Sequence, residues 1–221
     1  KNPEVGGSWY ENRYPGARVD TPSRGYSHLF SYDYPFPSGY CPRDENLKYF
    51  KWVTSHFAIR EQIDFNTEVS SMTWDDDENL WRLEAEGPAG AQTYEVNAVV
   101  SCVGFLSRPK RPQIEGMDSF EGVACHTAEW PAGLDVAGKR VAVIGTGATS
   151  VQIVPKLAEH AEQLYVIQRT PAAVALRNNI PTDADWFKDQ PTGWQRERME
   201  NFLETINFNM PDVDLVSDCW T

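Results

Sequence analysis

Gly145-Thr146-Gly147-Ala148-Thr149-Ser150 and Arg169 are the residues best placed by type and spacing to hold a phosphorylated ligand. The glycines follow an apolar stretch, Arg140 to Ile144, and open a stretch of helical pattern, Ala148 to Ala161. A strand that turns on glycines into a helix is the setting in which a dinucleotide pyrophosphate is held. Gly145 permits the tight turn, and Gly147 lets phosphates approach the backbone. The helix start offers unpaired N–H groups and the positive end of the dipole. Ser150 stands where a third glycine is usual, and a small residue there still lets helix and strand pack. A second apolar stretch, Gln163 to Thr170, ends on Arg169. An acidic residue at that place would bind the ribose 2′-hydroxyl of NAD, whereas an arginine suits the 2′-phosphate of NADP. The bland alternative is a solvated arginine at a strand end. A glycine string alone is a weak signal. Strand, turn, helix and second strand in register make this one a βαβ unit.

A second group lies just upstream, where "FEGVACHTAEWP" (Phe120 to Pro131) keeps His126 and Trp130 together in a loop. Such a pair either touches a ligand or steers a domain. The bland reading is a histidine satisfied by a backbone carbonyl and a tryptophan plugging a core. Cys125 and His126 are adjacent metal-ligand types, but no further ligands have suitable spacing, so no metal site is expected.

The elements that must position these groups can be read in outline. Residues 1–42 are rich in turn formers and aromatics and lack a helical or strand period, so a long loop is expected there. Its Tyr and Trp content argues against simple disorder. Arg43 to Ile59 reads as a helix with Asp44 and Glu45 at its positive end and a core stripe of Leu47, Phe50, Val53 and Phe57. "TEVSSMTW", "LWRLEAE" and "QTYEVNAVVSCVG" form a three-stranded meander, and the apolar "AVVSCVG" suits a fully buried strand. Residues 105–138 are Pro-rich and aperiodic, a connection between domains. Pro155 falls inside the helix after the glycines and is expected to bend it. A polar helix is expected from Trp186 to Asn207. The expected fold class is α/β, with domains at 1–105, 106–138 and 139–221.

Composition narrows the partners. A net charge of -12 and a pI near 4.8 argue against nucleic acid, though not against phosphorylated cofactors, which need only one or two local cations. A hydrophobic content of 41% supports a real core. Cys41, Cys102, Cys125 and Cys219 are far apart and make neither a disulfide framework nor a zinc motif, so a reducing cytoplasm is expected. "KNPEVGGSWY" is no signal peptide, and no apolar run approaches the roughly 18 residues of a membrane span.

Together these residues resemble the class B flavoprotein monooxygenases, and within them the Baeyer–Villiger monooxygenases. The family signature, Phe-x-Gly-x-x-x-His-x-x-x-Trp followed by Pro or Asp, is met by Phe120, Gly122, His126, Trp130 and Pro131. "GGSWYENRYPGARVD" (Gly6 to Asp20) resembles the segment that wraps FAD, "SCVGFLSRP" (Ser101 to Pro109) the exit from the FAD domain, and "VIQRTP" (Val166 to Pro171) the NADPH-selecting strand end. The resemblance implies a Rossmann-like architecture of two dinucleotide-binding domains, with FAD and NADPH as cofactors. It places Gly6, Gly7, Ser8, Trp9, Arg13, Tyr14 and Asp20 at the FAD, with Asp20 nearest the reacting ring. The bland role for Asp20 is to cap the turn before Thr21-Pro22. Val69 would meet the adenine edge through its backbone, with an ordinary strand valine nearly as good a reading. Thr146, Ala148, Thr149 and Thr170 accompany the glycines and Arg169 at the NADP. Gln152 would reach the NADP or remain a solvated helix residue. His126 and Trp130 would couple cofactor binding to domain movement rather than transfer protons.

The implied activity is insertion of one oxygen atom from O2 into a ketone to give an ester or lactone. Alternatives are an N- or S-oxygenating flavin-containing monooxygenase, which the Trp130-Pro131 pair argues against, and a non-catalytic NADP-binding module. The family's first glycine turn for FAD does not precede Lys1, and its active-site arginine would lie beyond Thr221. The chain is therefore expected to be an internal fragment, inactive alone, with open strand edges and exposed apolar faces that self-association could cover.

Overall fold

The computed structural model describes residues 1–171, 173–174 and 176–216. Cys219 and the close of the "DLVSDCWT" stretch lie outside the described residues.

The first 42 residues are not an open loop. They fold back on themselves and on a helix. A single helical turn, α1 (Ser8–Glu11), starts after Gly6 and Gly7, whose φ values are 117° and 48°. A Cβ on Gly6 would come within 2.6 Å of Leu47 Cδ1. Further on, Arg18 bridges Pro42, Val19 N–H donates to Cys41 O at 3.1 Å, and Ser23 N–H donates to Gly39 O at 2.8 Å. The result is a narrow hairpin-like fold that buries Ala17, Val19, Tyr34, Phe36, Tyr40 and Cys41.

Helix α2 (Arg43–His56) begins where Pro42 stops the preceding extended chain, with Asp44 and Glu45 in its first turn. Its buried face is Asn46, Tyr49, Val53 and Thr54. Only Val53 of the expected stripe is fully buried. Leu47 and Phe50 are half-buried, and Phe57 lies past the helix end, 41% exposed. The face is rotated because the folded-back segment supplies polar partners as well as apolar ones. Tyr49 Oη accepts from His28 N–H at 2.8 Å and lies 2.7 Å from His28 Nδ1 and 2.6 Å from Ser31 Oγ. Asn46 Nδ2 donates to Cys41 O at 3.0 Å and Pro42 O at 3.1 Å. A hydropathy pattern cannot see a core built around hydrogen-bonded Tyr and Asn. Tyr34, Phe36, Cys41, Tyr49 and Val53 form its centre, with Phe50 and Trp52 against it.

Strands β1 (Glu68–Asp75), β2 (Leu80–Gly87) and β3 (Gly90–Val96) form the expected antiparallel meander in that order. The β1–β2 turn is held by Asp75 Oδ1, which accepts from Asp77 and Glu78 N–H, both at 3.0 Å. Trp74 and Trp81 sit opposite each other, ring centroids 5.6 Å apart. The expected extension of the third strand through "AVVSCVG" is overturned. β3 ends at Val96, and Val100 and Val103 are 83% and 75% exposed. A strand buried on both faces needs paired neighbours and two covering layers, and the described residues supply neither at this edge.

The segment 105–138 carries two single 3₁₀ turns, Met117–Ser119 and Thr127–Glu129. Then β4 (Arg140–Ile144), α3 (Ala148–Ala158) and β5 (Gln163–Ile167) make the expected βαβ unit, with Arg140 opposite Gln163 and Ile144 opposite Ile167 in parallel register. Helix α3 runs through Pro155 and buries Ile153 and Leu157. The helix expected over Trp186 to Asn207 is two elements, a 3₁₀ turn at Trp186–Asp189 and α4 (Trp194–Ile206). Pro191 and Gly193, the latter at φ 89°, break it.

Two outcomes follow from the Tyr-centred core. Tyr49→Phe removes the acceptor of His28 N–H and the partner of the buried Ser31 hydroxyl, and is expected to cost about 1–3 kcal/mol in urea unfolding. Burial first, then the charges of Glu45, Cys41 and Tyr49, push the Tyr34 phenol up to about 12. The unfolded phenol loses its proton near its ordinary value of 10.0 while the folded one keeps it. Stability from Tyr34 is thus full below pH 10 and declines as pH rises from about 10 to 12. Unfolding measured across that range should show a slope that Tyr34→Phe reduces.

Candidate functional site

The glycine turn is built as a strand end that releases its backbone. Gly145 N–H donates to Ile167 O at 2.8 Å, which pins the turn to β5. Gly145 has φ 107°, a conformation that only glycine adopts without strain. Gly147 caps α3 at φ -74° with no side-chain cap. The first helical bond runs from Val151 N–H to Gly147 O at 3.1 Å, so the N–H groups of Ala148, Thr149 and Ser150 have no acceptor within the helix. A Cβ on Gly145 or Gly147 would meet nothing within 4 Å. Arg169 and Thr170 are exposed just beyond β5, and Arg169 has no ion-pair partner among the described residues.

The structure brings the segment Arg13 to Asp20 onto the first turns of α3. Gln152 Oε1 accepts from Tyr14 Oη at 2.9 Å and from Arg18 N–H at 3.1 Å. Gln152 is therefore neither solvated nor aimed away from the first segment; it clasps it. Gly16, at φ 83°, presses on the same residue, since a Cβ there would lie 2.5 Å from Gln152 O. Burial pushes the Tyr14 phenol up; Thr149 bonds to it and lowers it, and Asp20 raises it through its charge. Tyr14, Asp20, Thr149 and Gln152 thus share one neighbourhood, although they come from opposite ends of the sequence. Asp20 is exposed, and its backbone carbonyl accepts from Arg177. Alongside lies an open hollow of about 270 Å³ with Arg13, Arg18, Arg43 and Asp44 in its wall, Asp44 paired with Arg43 at 2.6 Å.

The rest of the first segment carries unmet polar groups. Gly7 has open space where a Cβ would stand. Trp9 meets Tyr26 edge to face at 5.9 Å, yet its Nε1, and Thr21 Oγ1 near it in sequence, are buried without hydrogen-bond partners among the described residues. Arg13 is held by its own loop, with Nε donating to Tyr10 O at 3.0 Å and its guanidinium over the Tyr10 ring at 4.7 Å. Ser8 opens α1. Val69 is 48% exposed on β1, beside a bulge between Val69 and Ser71. The start of that strand is tied to the first residues of the chain, because Asn66 N–H donates to Asn2 O at 3.0 Å and the terminal ammonium of Lys1 to Thr67 O at 2.8 Å.

His126 has a local role. Its Nδ1 accepts from Ala128 N–H at 3.1 Å and caps the Thr127–Glu129 turn, so the expected carbonyl partner is replaced by a backbone donor. The accepting Nδ1 places the proton of the neutral ring on Nε2. Trp130 is half-buried at the end of that turn, and Glu129 pairs with Arg111. No hydrogen bond, ion pair or ring contact among the described residues joins His126 or Trp130 to the glycine turn. The Phe120 ring folds over Gly122, where a Cβ would fall against it, which gives the Phe-x-Gly pair of the signature a packing reason. Burial pushes the Cys125 thiol up, with Arg111 opposing that shift and Glu129 adding to it. Among the described residues no group of three or more His, Cys, Asp or Glu could hold a metal ion, and no helix is long and apolar enough to cross a membrane.

The chain belongs to the flavin-binding monooxygenase-like family, whose model matches residues 24–184. Its relatives narrow the class. It is 38% identical to Baeyer-Villiger monooxygenase ATR8 of Stachybotrys chlorohalonatus over 100% of this chain and 37% of that protein. Among solved structures it matches a polycyclic ketone monooxygenase from Thermothelomyces thermophila with a TM-score of 0.87 and 35% identity, covering 99% of this chain and 38% of the other. It also matches OTEMO in complex with FAD and NADP, with a TM-score of 0.76 and 34% identity over 93% of this chain and 39% of that one. The α/β organisation is that of these Rossmann-type flavoproteins, and the chain spans under two-fifths of their length.

Arg18, Gly16 and the clasping role of Gln152 were not legible as site features in the sequence. The clasp can be tested directly. Gln152→Leu removes an acceptor from Tyr14 and Arg18, and Gln152→Glu keeps one. Thermal melts should show Leu destabilising by about 1–3 kcal/mol and Glu by less. A cycle with Tyr14→Phe should return a coupling of about 0.5–1.5 kcal/mol.

Proposed function

We propose that the chain carries the cofactor-facing part of an FAD- and NADPH-dependent monooxygenase that inserts one oxygen atom of O2 into a ketone, giving an ester or lactone. The observation that carries this reading is the glycine turn. Gly147 is required neither by its own φ of -74° nor by any neighbour within 4 Å, so its missing side chain answers to something outside the protein's own packing. A phosphate meets that description, with the free N–H groups of Ala148, Thr149 and Ser150 facing it and Arg169 available to the adenosine 2′-phosphate. Thr146 and Thr170 flank the same groups. The residues also fit a flavin. Open Gly7, the orphaned Trp9 Nε1 and the orphaned Thr21 Oγ1 are donors and space that the chain itself leaves unused. The names of the relatives, Baeyer-Villiger monooxygenase and polycyclic ketone monooxygenase, favour a ketone over an amine or sulfide.

FAD, when bound and reduced by NADPH, supplies the oxygen-activating chemistry. The chain's own contribution is to hold and orient. Gln152, Tyr14 and Arg18 fix the flavin-facing segment against the helix that receives the pyrophosphate, so both cofactors are held in one relative position. Asp20 puts a carboxylate beside Tyr14 and tunes the charge there. His126 and Trp130 shape the connection between the two cofactor regions through the capped turn at Thr127–Glu129. Turnover is assigned to the full-length protein, since Val100, Val103, Phe105 and Ile167 stand exposed in the 221 residues.

Two substitutions separate this reading from a plain βα turn. Arg169→Ala should lower kcat/KM for NADPH by about 10- to 100-fold and leave NADH almost unchanged. Gly147→Ala should lower the melting temperature of the cofactor-free protein only slightly, through the poorer cap of α3, while weakening NADPH binding in titration. Equal losses with NADH and NADPH in the first variant, or unweakened NADPH binding in the second, would count against the assignment.

A further inference from the structure

Away from the cofactor residues, Arg24 presents a problem of charge. The segment 21–28 is covered by the Trp186–Asp189 turn and α4. Gln195, 4% exposed, donates from Nε2 to Ser27 Oγ at 2.8 Å and His28 O at 3.1 Å, and Trp186 meets Trp194 edge to face at 5.0 Å. The Arg24 guanidinium lies 4.9 Å from the centre of the Trp186 ring, and the Arg198 guanidinium lies 5.3 Å from the same ring. Both terminal nitrogens of Arg24, Nη1 and Nη2, are buried and have no hydrogen-bond partner among the described residues. Arg24 also has no ion pair with any described carboxylate, in a chain with 32 acidic residues against 20 basic ones.

An arginine does not escape such a place by losing its proton. Burial disfavours its charge, and the charge on Arg198 adds to the penalty. The indole face compensates in part through cation–π attraction, but it does nothing for the N–H groups at the rim of the fork. Two parallel N–H donors that have lost water and gained no acceptor are costly, and their geometry matches a carboxylate edge-on. We infer that Arg24, with Arg198 beside it and Trp186 as its floor, is a carboxylate-binding site. Arg198 is itself held, with Nη2 donating to Val216 O at 3.4 Å, so it contributes charge beside the Arg24 fork. The carboxylate comes either from a small molecule or from an Asp or Glu of polypeptide outside the described residues. The inference stands apart from the cofactor assignment and uses none of its residues.

The test is thermal melting of the full-length protein in sodium acetate, sodium chloride and sodium phosphate at equal ionic strength, for wild type, Arg24→Met and Arg24→Lys. A saturable rise of the wild-type melting temperature in acetate over the other two salts, lost in both variants, identifies a small-molecule carboxylate. No acetate response, with both variants melting several degrees lower, identifies a carboxylate of the polypeptide, because breaking a buried pair is strongly destabilising. The sign decides the rest. If Arg24→Met melts at or above wild type without an acetate response, the guanidinium was unpaired and the inference fails. It fails also if Arg24→Lys, which keeps the charge but not the fork, melts and responds like wild type, or if phosphate stabilises more than acetate through Arg24. Should Arg24→Met not fold, the lysine variant and the salt series still separate these outcomes.

Discussion

The site rests on one acceptor atom. Gln152 Oε1 takes hydrogen bonds from Tyr14 Oη and Arg18 N–H, and through them a loop near the start of the chain is fixed to a helix more than halfway along it. The contact is short-range and directional, and Gly16 brings the two backbones together around it. A leucine or lysine at 152 would fill the space, but only a side-chain acceptor sets the rotation of the loop about α3. Everything assigned to cofactor orientation inherits that rotation: the direction of Arg13 and Tyr14, the place of Asp20 beside the phenol, and the distance from the glycine turn.

The glycines sort into two kinds by what they avoid. Gly16 and Gly6 avoid the protein itself, for a side chain there would strike Gln152 or Leu47. Gly147 avoids nothing inside the chain. The first kind is a folding requirement and explains how the segments close on one another. The second kind leaves space that the chain's own packing does not use. Gly145 and Gly7 combine them, since their φ values of 107° and 48° are backbone requirements while the space above each is open. The same distinction applies to buried polar atoms. Tyr49 Oη is satisfied three times over and belongs to the fold. Trp9 Nε1 and Thr21 Oγ1 are satisfied by nothing in the described chain, so the fold gives no reason for them.

The elements that depend on local pattern were legible in the sequence. The meander, the βαβ unit and most of α2 follow from alternation, helical spacing and turn residues. Where tertiary contacts decide, pattern misled. Tyr49 and Asn46 face the core because residues 28–31 and 41–42 bond to them, and no hydropathy period shows that. "AVVSCVG" looks like a buried strand by composition, yet burial needs partners, and Val100 and Val103 are exposed. Pro191-Thr192-Gly193 should have split the last helix on sequence grounds alone, and a pattern of charged and apolar residues outweighed it. Of the candidate site, the glycine turn was visible because a βα turn is a local motif, and Arg169 because it ends the strand that follows. The clasp was not, because Tyr14 and Gln152 are distant in sequence and neither residue type is diagnostic.

Net charge says little about where anions go. With a formal charge of -12, the chain as a whole repels phosphates and carboxylates at long range. At ionic strengths near those of cells that repulsion fades within about 8 Å, and what remains is local. Six of the 20 cations fall at three places: Arg13, Arg18 and Arg43 line one hollow beside Asp44, Arg169 stands clear at the end of β5, and Arg24 and Arg198 share one indole ring. An acidic surface keeps such clusters from becoming general anion traps, so an anion held there has to be held by hydrogen-bond geometry. That requirement favours backbone N–H groups and forked guanidinium groups over lysine ammonium groups, and arginines are what these three places contain.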